Sequence, residues 1–250
     1  MKQEVEKVGY PYLFRYRMDN DFTLDEIKNN YIYFSDRNSL NDPFDSSPDL
    51  IRFKEDRSNS KKYLDLFKDQ LPSHIPSNLL DKYSENELIE LTKSSIPKYL
   101  NSFGIACFSM IPYVNMTLWA HYANNHRGIC IQYLTENDEI FFKNLQVVKY
   151  FEKLNQIDFN PLENESNILD VFYMKDANWQ YEKELRLVRF EKGKINLKSN
   201  SIRNIICGYK ASEKFIESLK SIVKDYHPHI GIFQMDKPIK QNKISLTKIV

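Results

Sequence analysis

Short runs of alternating apolar and polar residues recur along most of the chain and predict β-strands. Between them, apolar residues at helical spacing predict amphipathic helices. The predicted strands are 11–17, 31–35, 103–109, 128–134, 145–151, 181–190, 194–197, 201–209, 231–236 and 244–250. The predicted helices are 23–30, 61–71, 85–100, 115–125, 161–175 and 212–226. Helices placed irregularly among many strands favour the α+β class over a regular βαβ arrangement.

The character of the chain changes between residues 46 and 101, where charged amphipathic segments replace the strands. Ser84 and Glu87 have the spacing of a capping box, in which each side chain caps the other's backbone N–H at a helix start. Thr23 and Glu26 have the same spacing. Each helix of the 46–101 segment offers only one apolar stripe, so we predict a helical insertion or lid. The chain 1–250 is then a single α+β domain with an insertion at about 46–101.

Composition limits the partners of the protein. Its 35 basic and 34 acidic residues give a formal net charge of +1, so no global field attracts nucleic acid or an anionic membrane. Three cysteines, far apart and odd in number, do not support a disulfide framework and favour a reducing compartment. No apolar stretch resembles a signal peptide or a membrane span. We predict a soluble, cytoplasmic protein with no membrane contact; the sequence gives no indication of its oligomeric state.

The first candidate for chemistry is a pair of arginines on an early strand. Arg15 and Arg17 are two positions apart, so they point to the same side and offer two planar forks that suit phosphate groups. The alternative is that they are strand arginines paired with acids or with water. Taken alone, the pair favours that structural interpretation.

The second candidate is Ser109 with Trp119, His121 and Tyr122. A strand that ends in a hydroxyl and leads into a helix is a common way to present polar groups to a ligand. Trp119 and Tyr122 are three residues apart and share a helix face, whereas His121 points elsewhere. For Trp119 a place in the core is the favoured interpretation, and for His121 the ligand-binding and structural interpretations are balanced.

The third candidate lies in WQYEKELR (179–186). On a strand, Glu182, Glu184 and Arg186 lie on one face, where two carboxylates and an arginine tune each other's pKa. Trp179 and Tyr181 precede the carboxylates, which favours a functional site over an exposed charged face.

Other chemistries have less support in the sequence. The chain has no HExxH, Walker, GxGxxG or GxSxG motif and only six glycines. We therefore expect no metal. Cys107 and Cys130 sit in apolar strands and are predicted to be small core residues, not nucleophiles.

The motifs taken together resemble a large bacterial family of unknown function. LFRYR, NDPF, WAHYA and WxYExELR occur in the order typical of that family and cover nearly the whole chain. The NDPF motif at 41–44 adds Asn41 and Asp42 as site candidates.

A more distant resemblance is to ADP-ribosyltransferases of the Arg–Ser–Glu type, which carry an arginine on an early strand, a serine closing a central strand and an E-x-E element. It implies a split sandwich of mostly antiparallel sheets with peripheral helices, which binds NAD as its substrate. Arg15 or Arg17 would hold the pyrophosphate or ribose, and Ser109 would position the ribose and the glutamate. Here Phe-Ser-Met replaces the family's Ser-Thr-Ser.

The same resemblance assigns further roles. Glu184 would bind the ribose 2′-hydroxyl and stabilise the positive charge that develops as nicotinamide leaves. Glu182 would orient the acceptor, and an aromatic residue such as Tyr122 would stack on nicotinamide. Such an enzyme would suit a toxin or antiphage effector that modifies a protein or nucleic acid and is controlled by a neutralising partner protein.

Three functions are therefore carried forward from the sequence. The first is ADP-ribosyl transfer or NAD hydrolysis, which requires Arg15 or Arg17, Ser109 and Glu184 in one pocket. The second is a non-catalytic module that binds a nucleotide or nucleic-acid base on its aromatic residues. The third is a metal-dependent nuclease or phosphodiesterase, which requires Asp42, Glu182 and Glu184 to converge on a cation.

Overall fold

The computed structural model describes residues 10–54, 83–160, 165–198, 200–237 and 244–250. These residues divide into two compact units. Unit 1 takes its residues from the ranges Met1–Ser35, Gly104–Val148 and Asn178–Val250, and unit 2 from Asp36–Phe103 and Lys149–Ala177. The range of the predicted insertion, 46–101, falls within unit 2. The same unit contains a much later segment, Lys149–Ala177. The single-domain organisation stays a prediction, and the helix expected at 61–71 lies outside the described residues.

The α+β class and the mostly antiparallel strands are confirmed. The strands are β1 (Tyr12–Arg17), β2 (Tyr31–Phe34), β3 (Ile51–Phe53), β4 (Gly104–Ser109), β5 (Ile129–Leu134), β6 (Gln146–Val147), β7 (Lys149–Phe151), β8 (Ile157–Phe159), β9 (Met174–Asp176), β10 (Glu184–Arg189), β11 (Gly193–Asn196), β12 (Ile202–Cys207), β13 (Gly231–Met235) and β14 (Leu246–Lys248). The α-helices are α1 (Asp21–Lys28), α2 (Glu85–Leu100), α3 (Met116–Tyr122) and α4 (Glu213–Tyr226). Short 3-10 helices cover Arg37–Ser39, Pro48–Leu50, Thr135–Asp138, Glu165–Tyr173 and Ala177–Glu182.

Unit 1 is built on one eight-stranded sheet in the order β14-β13-β12-β5-β1-β4-β10-β6. Its neighbouring strands run antiparallel except β12 and β13, which are parallel. Strands β1, β4 and β10, which carry three of the predicted site segments, are therefore consecutive neighbours. A smaller sheet pairs β2 with β11.

The large sheet is covered on both faces. Side chains alternate across a strand, so Leu13 belongs to one core cluster and Phe14 to another. The first cluster includes Ile27 of α1 and Leu219 of α4, and the two helices pack against each other. The second includes Trp119 of α3. We call these sides the α1/α4 face and the α3 face.

Unit 2 contains α2 and two short parallel strand pairs, β3 with β8 and β7 with β9. Helix α2 begins at the predicted capping box, because Ser84 and Glu87 each accept from the other's backbone N–H. Within the described part of the chain, none of the helices has the length and apolar composition needed to cross a membrane.

Three local predictions were wrong. Helix α1 is capped by Asn20, whose side chain accepts from the backbone N–H of Thr23 at 3.0 Å, not by a Thr23–Glu26 box. The strand predicted over 145–151 is interrupted at Val148, whose N–H donates to the Glu184 carbonyl at 3.0 Å. The described part of the helix predicted over 161–175 is a 3-10 helix followed by β9.

Candidate functional site

Helix α3 and the 3-10 helix Ala177–Glu182 are joined by one side chain, that of Asn115. Its Oδ1 atom caps α3 by accepting from the N–H groups of Thr117 at 3.0 Å and Leu118 at 3.3 Å. Its Nδ2 atom donates to the carbonyl of Tyr181 at 2.9 Å. Because both ends of this amide are used, the two segments are held in a fixed relation.

Four aromatic rings meet where these two segments adjoin. We call His121, Tyr122, Trp179 and Tyr181 the aromatic surface. The His121 ring lies 6.1 Å from that of Tyr181 in a stacked arrangement, and 6.2 Å from each of the Tyr122 and Trp179 rings. His121 is exposed and the other three are half-buried. The predicted residues from two distant parts of the sequence are thus brought together at a position that solvent can reach.

Glu182 lies directly beneath this surface. The Tyr122 hydroxyl donates a short hydrogen bond to the Glu182 carboxylate, which is buried. The Ser109 hydroxyl donates to the Glu182 carbonyl at 2.7 Å and accepts from the N–H of Ile111 at 3.0 Å. Ser109 thereby fixes the backbone at the point where the 3-10 helix leads into β10.

Glu182 does not lie on a strand with Glu184, contrary to the prediction for 181–190. It ends a 3-10 helix, and Lys183 follows with φ of +44°, in the left-handed region. Strand β10 begins only at Glu184. The two carboxylates are therefore presented by different elements, and the alternation expected of a strand applies only from Glu184 onwards.

Glu184 and Arg186 form a buried ion pair. The Arg186 Nε and Nη2 atoms donate to the two carboxylate oxygens of Glu184 at 2.7 and 2.9 Å, the bidentate geometry that suits a guanidinium. Arg186 is fully buried and Glu184 is 4% exposed. Glu184 is also the direct cross-strand partner of Ser109, so both lie on the α3 face. The structure thus brings Ser109, Glu184 and Arg186 together on one face of the sheet.

Arg15 and Arg17 lie on the opposite side of the sheet. Phe14, and not Arg15, is in register with Ser109, so the alternation of β1 directs both arginines to the α1/α4 face. There Glu26 accepts from Arg15 at 3.0 Å and lies 2.7 Å from the Arg17 guanidinium. The single pocket that the Arg–Ser–Glu resemblance requires is therefore not what the structure contains. The interpretation of the pair as strand arginines bonded to an acid describes them better.

Charge interactions hold Arg15, Arg17 and Glu26 together. Burial acts to lower the pKa of Arg15, but the charge of Glu26 and the neighbouring Tyr133 raise it above its ordinary value. For Arg17, burial and the positive charge of Arg15 lower the pKa despite Glu26. Both guanidinium groups remain charged at neutral pH.

Trp119 is a core residue. It is fully buried, and its Nε1 atom donates to the Tyr113 carbonyl at 2.7 Å. The ring contacts Tyr16 edge-on at 5.3 Å and stacks on His126 at 6.1 Å. This is the interpretation that the sequence favoured for Trp119, whose buried ring offers no surface to a ligand.

Asn41 and Asp42 belong to unit 2. Asn41 is exposed, and Asp42 is buried in a locally bonded turn, where its carboxylate accepts from the N–H of Phe44 at 2.9 Å. This is the turn that the Asp-Pro sequence predicts. Nearby, Asp45 and Lys175 form a buried pair 3.7 Å apart.

Two important residues were missed by the sequence analysis. Glu26 was assigned to a helix cap, although its place on the buried side of an amphipathic helix was a signal that it needed a cationic partner. Asn115 was recognised only as a helix start. That its amide also reaches Tyr181 depends on a contact between residues far apart in sequence.

The assembled residues on the α3 face offer stacking surfaces together with hydrogen-bonding carboxylates. Among the residues that the structure describes, no group of three or more His, Cys, Asp or Glu side chains is arranged to hold a metal ion.

Comparison with known proteins gives a family match over part of the chain and no function. No curated protein matches the chain, and no solved structure matches it. The segment from α3 to β10 contains all four residues of the aromatic surface together with Glu182, Glu184 and Arg186. This segment, residues 118–187, matches the model of the family described as "Protein of unknown function (DUF2971)".

Proposed function

We propose that unit 1 binds a nucleotide, with a planar ring of the ligand stacked on the aromatic surface. The observation that carries the proposal is the convergence of His121, Tyr122, Trp179 and Tyr181 from two segments at an accessible position. Aromatic side chains that pack a core are buried on all sides, as Trp119 is. Rings held rigidly at the surface are suited instead to stack on a base.

The groups beneath the rings support a polar ligand. Glu182 accepts from Tyr122, so the tyrosine hydroxyl is oriented before a ligand arrives. Ser109 and Asn115 hold the backbone nearby, because they donate to the carbonyls of Glu182 and Tyr181. A site whose supporting residues are already bonded loses little entropy when a ligand binds.

Calorimetric titration of NAD into the purified protein tests the proposal. Stacking of a base on an aromatic side chain contributes about 1–3 kcal/mol, so Trp179→Ala is expected to weaken binding about 5- to 150-fold. The matched control is Phe22→Ala, which removes a ring that is 77% exposed on α1. Wild-type affinity in both variants, or no saturable binding by the wild type, would contradict the proposal.

A second candidate is ADP-ribosyl transfer from NAD at the same site. One observation favours it: Ser109 and Glu184 are direct partners on neighbouring strands of the α3 face. This candidate departs from the resemblance at the arginine, because Arg15 and Arg17 lie on the other face of the sheet. The acceptor would be a protein or nucleic acid, as for a toxin or antiphage effector with a neutralising partner.

Release of nicotinamide distinguishes the two candidates. The transferase predicts that NAD is consumed, with or without added bacterial lysate, and that a folded Glu182→Gln variant is slower. Saturable NAD binding without any nicotinamide release would leave the binding function alone. Because Glu184 is paired with buried Arg186, a Glu184 variant is a poor first test.

A further inference from the structure

A groove on the α1/α4 side of unit 1 has a different chemistry from the aromatic surface. It has a volume of about 480 Å³ and lies between the loop 138–144 and the segment 195–198. Arg189 of β10 forms part of its wall. The alternation of β10 places Arg189 on the side of Leu185 and Leu187, opposite Glu184 and Arg186.

Positive charge exceeds negative charge in this groove. Lys143, Arg189 and Lys198 line it, and Asp138 is the acidic residue among the lining side chains. Asp138 is already engaged, because it accepts from the backbone N–H groups of Lys198 at 2.8 Å and Phe141 at 3.3 Å. Its carboxylate also lies 4.0 Å from the Lys198 Nζ atom, so the lining has an excess of two positive charges.

Arg189 is held in a rigid position. Its guanidinium lies over the Phe141 ring at 4.5 Å and the Phe34 ring at 5.1 Å, and it donates a short hydrogen bond to the Phe141 carbonyl. Contact with two aromatic rings restricts the orientations open to the guanidinium. With one of its five N–H groups used in that bond, the guanidinium can offer a planar fork to an anion without losing much side-chain entropy.

The rest of the lining is suited to an organic molecule. Ile140 is 78% exposed at the rim, and half-buried Ile195 lies in the wall. The volume falls within the range of about 300–1,000 Å³ that is typical of small-molecule sites. An inorganic ion would fill only a fraction of it.

We propose that this groove binds a phosphorylated small molecule, with the phosphate held by Arg189, Lys143 and Lys198. The site is independent of the aromatic surface, and it does not require that surface to bind a nucleotide. It would give unit 1 a second ligand on the opposite side of the sheet.

The test is calorimetric titration with ribose 5-phosphate, which has a phosphate and an organic body but no aromatic ring to stack. Hydrogen bonds to charged groups are stronger than those between neutral groups, so Arg189→Gln is expected to weaken binding about 10-fold or more. Lys143→Gln, at an exposed position, is expected to weaken it about 2- to 5-fold. Binding should also weaken as salt is added.

Three controls keep the result interpretable. Ribose without the phosphate should not bind. Lys224→Gln removes an equal charge from an exposed position of α4 that does not line the groove, and it should leave the affinity unchanged. Trp179→Ala should also bind ribose 5-phosphate as the wild type does, which separates this site from the aromatic surface. Absence of saturable binding, or equal losses in Lys143→Gln and Lys224→Gln, would overturn the proposal.

Discussion

At the level of single residues, the buried charges of unit 1 serve to hold the sheet and its helices together. Glu26 links two arginines of β1 to helix α1, and Glu184 is bound by both ends of the Arg186 fork. Removing one partner of such a pair leaves the other charge without compensation in a dry interior. Loss of activity in a variant of these residues would therefore not by itself show a catalytic role.

The first prediction concerns the Glu184–Arg186 pair. Glu184→Gln should lower the free energy of unfolding by about 3–5 kcal/mol, because Arg186 stays buried and charged. The double variant Glu184→Gln/Arg186→Met should lose less than the single variant, since both charges are gone. Urea denaturation measures each value.

The control for this prediction is the exposed pair of Glu217 and Lys220, 2.9 Å apart on α4. Glu217→Gln should change the free energy of unfolding by less than about 1 kcal/mol. If Glu184→Gln were as mild as this control, or if the double variant were less stable than the single one, the ion pair would not stabilise the fold as described.

The second prediction concerns the pH dependence of stability. Burial and the nearby positive charge of Lys210 lower the pKa of His126 below its ordinary value of 6.5. Its Nδ1 atom is buried with no hydrogen-bond partner among the described residues, so a proton there is poorly accommodated. As pH falls below about 6.5, the unfolded chain takes up this proton before the folded protein does, and stability is lost.

Urea midpoints at pH 7.5 and 5.5 measure this effect. The wild type should lose more stability between the two values than His126→Phe, a substitution that keeps a ring against Trp119 but cannot bind a proton. Comparing the change within each variant removes any effect of the substitution itself. An NMR titration that gives His126 a pKa at or above 6.5 would contradict the account.

At the level of elements, the connection before β10 decides how the site is presented. Lys183 has φ of +44°, a conformation that costs an L-residue about 1–2 kcal/mol and glycine almost nothing. This residue turns the chain so that Glu182 faces Tyr122 while Glu184 enters the sheet. Its own side chain is exposed and takes no part in the core.

The third prediction follows from that backbone conformation. Lys183→Val should destabilise the protein by more than about 1 kcal/mol, because a β-branched residue is strained at positive φ. Lys183→Gly should be close to neutral, since the relief of strain offsets the greater freedom of glycine in the unfolded chain. Thermal denaturation of both variants checks this, and an order of stability with valine above glycine would refute the turn geometry.

Elements governed by nearby residues were predicted well from the sequence. Strands β4 and β5, the amphipathic helix α4 and the Ser84–Glu87 capping box are all present. The Thr23–Glu26 box failed for a non-local reason. Its glutamate is drawn to two arginines of β1, and Asn20 caps the helix instead.

The candidate site was predictable in part. The aromatic residues and Glu182 were identified because rings beside carboxylates are unusual on a plain surface. The side of the sheet on which Arg15 points was not predictable, because it depends on which residue of β1 is in register with Ser109. A shift of one residue would exchange the two faces.

At the level of the whole molecule, the chain is organised by pairings between distant segments. Unit 2 pairs β3 with β8, more than a hundred residues later, and the sheet of unit 1 gathers strands from both ends of the chain. Sequence patterns predict such strands but do not say which of them will be neighbours. This is why the prediction gave the class of the fold but not its two compact units.

The family match covers one region of the chain. Residues 118–187 run from α3 to β10 and include every residue of the aromatic surface. Of the three cationic residues that line the groove, Arg189 and Lys198 lie outside the matched range and Lys143 lies within it. Nucleotide binding on the α3 face is therefore the central claim.

The most direct test of that claim uses the two tryptophans of the chain. In an NMR spectrum of ¹⁵N-labelled protein, the indole N–H signal of half-buried Trp179 should shift saturably as NAD is added. The signal of Trp119, which is fully buried and bonded to the Tyr113 carbonyl, should stay in place as an internal control. A Trp179 signal that does not move at saturating NAD would contradict the account.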